Sequence, residues 1–123
     1  MAAESRTALI AETDSGIRDV LDVILTRLGY AVTAVGDGAA AYMVIGAGPP
    51  EVAVLDVVLP AVGGLSLGRL LKTLQPAAKV IVLSTPGTDP ADAALEAGMD
   101  AVLPGALSAT EMEREVARHL GGS

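Results

Sequence analysis

Five times along its 123 residues this chain sets a short apolar run ahead of a segment with helical periodicity. A strand that needs a helix before the next strand re-enters the sheet from the same end, so the strands run parallel. The runs are Thr7-Ala8-Leu9-Ile10-Ala11, Tyr30-Ala31-Val32-Thr33-Ala34, Val52-Ala53-Val54-Leu55, Lys79-Val80-Ile81-Val82-Leu83 and Ala101-Val102-Leu103. They are too short for helices and suit burial.

The intervening segments carry helix signals. Asp14 and Ser15 can cap a first helix with Ile17, Val20, Leu21, Ile24 and Leu28 at helical spacing, and Gly29 stands at its C′ position. After a Gly36-Asp37-Gly38 turn, a small Ala-rich helix covers about residues 39 to 47, with Ala40, Met43 and Val44 expected inward; Gly48-Pro49-Pro50 stops it. A third helix runs from Gly64 to Leu74 with Leu67, Leu70, Leu71 and Leu74 inward. Asp89-Pro90 opens a fourth that reaches Gly98. Ser108 and Glu111 form a capping box for the last, and Met112, Val116 and Leu120 line its inner face. Right-handed crossovers with helices on both faces make a doubly wound α/β fold with a five-stranded parallel sheet. No Ser/Gly linker or repeat divides the chain, so residues 1–123 are expected to form a single domain.

Composition removes several functional classes. Phe and Trp are absent and Tyr occurs twice, so the core is built from Ala, Val, Leu and Ile. Without cysteine there is no disulfide, thiolate metal site or cysteine nucleophile. The formal net charge of −7 and the scattered Lys and Arg residues argue against direct nucleic-acid binding, which needs clustered bases to neutralise phosphates. No basic and apolar leader opens the chain and no apolar stretch could span a bilayer, so a cytoplasmic location without membrane attachment is expected.

In open parallel sheets, sites form outside the carboxyl ends of the strands where the strand order reverses. Glu12, Asp56 and Ser84 occupy the ends of the first, third and fourth strands. Asp56 precedes Leu59-Pro60 and Gly63-Gly64, and two readings of it stand side by side. It is a reactive carboxylate in the crevice, or an aspartate that opens the loop by bonding local backbone.

The ordered segments resemble the receiver domain of bacterial two-component signalling, the fold of the chemotaxis regulators, from about Thr7 to Leu120. Ala8 to Arg18 is similar to that family's opening strand, acidic cluster and Ile-Arg helix start. Val54-Leu55-Asp56 with Leu59-Pro60 and Gly64 resembles its phospho-acceptor strand and loop. Val80 to Thr85 resembles the strand ending in a hydroxyl, and Leu95 to Leu103 the late Glu-Ala-Gly-Ala-Asp segment. The resemblance implies a flavodoxin-like sheet of order 2-1-3-4-5 and a phosphorelay signalling role rather than an enzyme. It makes Asp56 the phospho-acceptor, served by a histidine kinase or phosphotransfer protein. It assigns a weakly bound Mg²⁺ to Glu12 and Asp56, with Asp14 as an auxiliary ligand, and phosphoryl binding to the Ser84 hydroxyl. It also implies a homodimer through the last two helices and last strand.

Three positions depart from the family's pattern. Thr13 stands where its second metal-binding acid belongs, Gly105-Ala106 where its Lys-Pro belongs, and Val102 where an aromatic usually swings inward. By analogy with deleting a preorganised oxyanion donor, each loss at the site would slow transfer about 10²- to 10³-fold. The chain is thus expected to be an atypical receiver, and the alternative is a phosphorylation-independent pseudo-receiver acting as a protein-interaction module. A flavodoxin-like ligand-binding domain is a weaker rival, since neither a GxGxxG nor a P-loop is present. His119, the one histidine, complements a helix C-terminus. With Gly121-Gly122-Ser123 at its end, the chain is expected to be either a stand-alone regulator or a receiver from a longer protein.

Overall fold

A computed structural model describes residues 6–84 and 98–120. Within them, β1 (Thr7–Ala11), β2 (Ala31–Val35), β3 (Val52–Asp56), β4 (Lys79–Ser84) and β5 (Ala101–Pro104) form one sheet. The order is β2-β1-β3-β4-β5 and every pairing is parallel, as the alternation predicts. The helices are α1 (Ser15–Arg27), α2 (Gly38–Ala47), α3 (Gly64–Leu74) and α4 (Ala109–His119). The helix expected from Asp89 to Gly98 lies outside the described residues. No helix among them is long and apolar enough to cross a membrane.

The sheet divides the core in two. Ala8, Ile10, Val54, Ile81 and Leu83 face α1 and α4 and pack with Leu21, Leu25, Met112 and Val116. Leu9, Leu55, Val80 and Val82 face the other way, onto Ala41 and Ile45 of α2 and Leu67 and Leu71 of α3. Alternate residues of one strand therefore enter different cores, which is why β1, β3 and β4 read as unbroken apolar runs. Each fully buried Leu or Ile contributes about 1.5–3 kcal/mol, so aliphatic side chains suffice without Phe or Trp. At the sheet edge, β2 exposes Ala31, Thr33 and Ala34.

Local signals set the helix ends. The Asp14 side chain accepts from the Ile17 N–H and starts α1; Gly29, at φ 98°, follows its last turn in the left-handed region that glycine tolerates. Ser108 and Glu111 form the reciprocal capping box at α4. Asp37, in the bend between β2 and α2, is also the helix cap, since its carboxylate accepts from the Ala40 N–H at 2.7 Å.

Two inward assignments are corrected. In α2 the buried positions are Ala41 and Ile45, while Met43 is 71% exposed and Ala40 only half-buried. That helix is apolar around its whole circumference, so its pattern specifies no face; Asp37 and Gly38 set the rotation instead. In α3, Leu67 and Leu71 are buried but Leu74 is 49% exposed, because the helix ends there and its last turn passes the sheet.

Candidate functional site

Register brings the strand ends together. Ala11 pairs with Leu55 and Asp56 with Leu83, so Glu12 and Ser84 emerge on either side of Asp56. With Thr13, Asp14, Ile17, Leu83, Gly105 and Ala106 they line a cleft of about 350 Å³. Glu12 and Asp56 are the two buried charged residues among those described, at 4% and 7% exposure. All four acids and hydroxyls named from the sequence, Glu12, Asp14, Asp56 and Ser84, thus share one cleft.

Asp56 bonds the local backbone and also lies in the cleft. Its Oδ1 accepts from the Val58 N–H at 2.9 Å, which shapes the loop, and its carboxyl group sits beside that of Glu12 inside the cleft. The Glu12 Oε2 accepts from the Asp14 N–H at 3.0 Å. Burial pushes the Glu12 carboxyl up to about 7; the Asp14 N–H opposes that rise, and the adjoining Asp56 and the Asp14 charge add to it. Ser84 is half-buried, and among the described residues its Oγ makes one long 3.5 Å contact, with the Leu103 carbonyl.

The loop after Asp56 is fixed by close backbone approaches that glycines permit. A β-carbon at Gly64 would overlap the Asp56 carbonyl, and one at Gly38 would overlap the Val62 carbonyl. The Pro60 carbonyl accepts from both the Gly38 and Val62 N–H groups, and Ala61 between them has φ 74°. A non-glycine residue there is uncommon and marks local strain beside the site. The Gly105 N–H donates to the Ser84 carbonyl at 3.0 Å, and the peptide between Gly105 and Ala106 is trans.

Among the described residues lining the cleft, none carries a cationic side chain. Two buried, mutually repelling carboxylates suit Mg²⁺, which is commonly held by one or two carboxylates with water and phosphoryl oxygens completing its shell. Thr13 lies on the cleft wall beside them. Among the described residues no group of three acidic, His or Cys side chains gathers around a common point.

Sequence reasoning passed over two contributors. Arg18 donates from Nη1 to the Glu12 carbonyl at 2.8 Å, and its place six residues on, in the first turn of α1, was the available signal. Asp100 accepts from Lys72 and the Val80 N–H, both at 2.8 Å, tying the start of β4 to α3; nothing in the local pattern announces that pair.

Residues 8–117 match the family model described as the response regulator receiver domain. The chain is 38% identical over 100 residues to the transcriptional regulatory protein CseB of Streptomyces avermitilis, covering 80% of this chain and 42% of that one. It is 34% identical over 115 residues to GltR of Pseudomonas aeruginosa, covering 91% and 48%. The chain therefore spans less than half the length of these relatives. Among solved structures it resembles a response regulator of Chloroflexus aurantiacus at TM-score 0.77 and 25% identity, covering 96% of this chain and 99% of that one. It also resembles the receiver domain of a Pseudomonas aeruginosa sensor histidine kinase, with magnesium coordinated in its active-site cleft, at TM-score 0.75, 25% identity and the same coverage. With the sheet order, the cleft and the acid pair already in place, the chain belongs to the response-regulator receiver domains of two-component signalling.

Proposed function

We propose that this receiver accepts a phosphoryl group on Asp56, with chemistry slowed by its incomplete site, and that it serves as a signalling module rather than an enzyme. The carrying observation is the buried Glu12–Asp56 pair at the strand ends, facing the Ser84 hydroxyl across one cleft. An Asp56 carboxylate oxygen attacks phosphorus as the bond to the donor nitrogen of a phosphohistidine breaks and that nitrogen keeps the electron pair. The donor is a histidine kinase or phosphotransfer protein, the partners of the family. Ser84 donates its hydroxyl to a phosphoryl oxygen, and Glu12 and Asp56 hold Mg²⁺, with Asp14 close by. Bound there, the ion supplies positive charge to the transferred oxygens, the main requirement of phosphoryl transfer.

The absence of a cation among the described lining residues supports the atypical part of the reading, because none of them offers the phosphoryl group a fixed positive side chain. The same observation favours the second reading, a pseudo-receiver that binds partners without phosphorylation. The groove between β5 and α4, lined by Val102, Leu107 and Arg118 among others, offers a surface for a second copy. Half-buried Val102 has no large alternate rotamer with which to couple that face to Asp56. CseB and GltR are named as transcriptional regulators; the acidity of this domain supports a role without direct nucleic-acid contact.

Incubation with acetyl phosphate and Mg²⁺, followed by intact mass, tests the two readings. Slow gain of one phosphoryl mass that Asp56→Asn abolishes supports the first. No gain after prolonged incubation leaves the pseudo-receiver.

A further inference from the structure

Residues 12 to 18 form a closed hydrogen-bonded unit. The Glu12 carboxylate accepts from the Asp14 N–H, the Asp14 carboxylate accepts from the Ile17 N–H, and the Asp14 carbonyl accepts from the Arg18 N–H at 2.9 Å. Arg18 then reaches back, and its Nη1 donates to the Glu12 carbonyl at 2.8 Å. From the other side, the Glu12 N–H donates to the Val35 carbonyl at 3.1 Å. The backbone of Glu12 is thus held at both its N–H and its C=O, and among the described residues the C=O is met by one guanidinium.

That guanidinium occupies a slot. A β-carbon at Gly36 would lie 3.2 Å from Arg18 Nη1 and 4.0 Å from Cζ. Among the described glycines only Gly29 and Gly98 have positive φ, so backbone conformation does not account for glycine at 36. A β-carbon there would press on the Arg18 guanidinium and oblige it to shift by a few tenths of an ångström.

We propose that Arg18 is the positioning residue for the Glu12–Asp56 acid pair, and that Gly36 is glycine in order to admit it. The inference rests on the reading that Glu12 and Asp56 hold Mg²⁺, and it names the residue that sets the geometry of the first of them. Arg18 acts on the carbonyl of Glu12, not on its carboxylate. It therefore fixes where the acid stands, as outer-shell partners of metal ligands do.

The test is calorimetric Mg²⁺ titration of the wild type, Arg18→Met, Gly36→Val, their double variant, Arg18→Lys and Glu12→Gln, with thermal melts in the absence of Mg²⁺. Arg18→Met and Gly36→Val are each expected to lose about tenfold in Mg²⁺ affinity. The double variant is expected to lose no more than either single one, because both remove the same contact. Arg18→Lys, which keeps a donor, recovers most of the affinity, and the metal-free melting temperatures of wild type and the Arg18 and Gly36 variants stay close together. Gly36→Ala replaces Gly36→Val should the latter fail to fold. Unchanged affinity in Arg18→Met, or losses that add in the double variant, overturns the positioning role. If Glu12→Gln binds Mg²⁺ as well as wild type, or the wild type does not bind it, the underlying metal reading fails and the proposal falls with it.

Discussion

Replacing Glu12 by Gln should stabilise the metal-free protein, and the gain should grow with pH. Glu12 is 4% exposed and its carboxyl is pushed from 4.5 up to about 7, chiefly by burial. The folded state therefore holds this proton more tightly than the unfolded chain does. Its contribution to stability is complete below about 4.5, falls away between 4.5 and about 7, and is fully lost above that. At about 1.4 kcal/mol per pH unit, the span from 4.5 to 7 sets a ceiling of about 3 kcal/mol. The cleft opens to water, which screens the charge, so about 1–2 kcal/mol is the expected gain in Glu12→Gln near pH 8. The amide keeps an acceptor for the Asp14 N–H and offers Asp56 a donor. Thermal melts followed by circular dichroism should show the variant level with wild type near pH 5 and about 4–12 °C higher near pH 8. Mg²⁺ should close part of that gap by stabilising only the wild type. A gap of equal size at both pH values, or a variant less stable at high pH, would refute the assignment of a strained carboxylate to Glu12.

Thr13→Asp should tighten Mg²⁺ binding by restoring a carboxylate to the cleft wall; titrations indistinguishable from wild type would remove Thr13 from the metal's surroundings. Gly64→Ala should destabilise the fold by about 1–3 kcal/mol or more in denaturant titrations, because its β-carbon would overlap the Asp56 carbonyl; a neutral result would contradict that packing. Lys72→Met should lower stability by about 1–3 kcal/mol at neutral pH. Burial alone would raise the Asp100 carboxyl, but bonds from Lys72 and the Val80 N–H outweigh it and hold it below 3.8, so this contribution should persist at neutral pH and vanish as acid protonates Asp100. A loss that is the same in strong acid would show the lysine stem or its bond to the Ala78 carbonyl, not the pairing with Asp100, to be the stabilising part.

The sheet was legible because each central strand is apolar at every position between its ends, a pattern that buried parallel strands produce and amphipathic helices do not. The site was legible for a related reason: Glu12, Asp56 and Ser84 are the first polar residues after, or at the end of, those runs, and parallel register delivers such residues to one edge. The inward face of α2 was not legible, since ten residues without a charge give the helix no polar side to turn outward. The Arg18 clamp and the Lys72–Asp100 pair escaped notice because each depends on a side chain reaching across space to a backbone group. Periodicity registers faces, not reach.

The surroundings of Asp56 separate what folding demands from what the proposed signalling role demands. At Gly38 and Gly64 backbone passes so close that a methyl group has no room, whereas Glu12 imposes a charge the interior resists. A library randomised at these three positions and screened only for expression should return glycine at both contacts and neutral residues in place of Glu12, which folding alone does not require. Screened for phosphoryl uptake, the same library should keep the glycines and restore the acid. The two selections would converge on the backbone contacts and part company at the carboxylate.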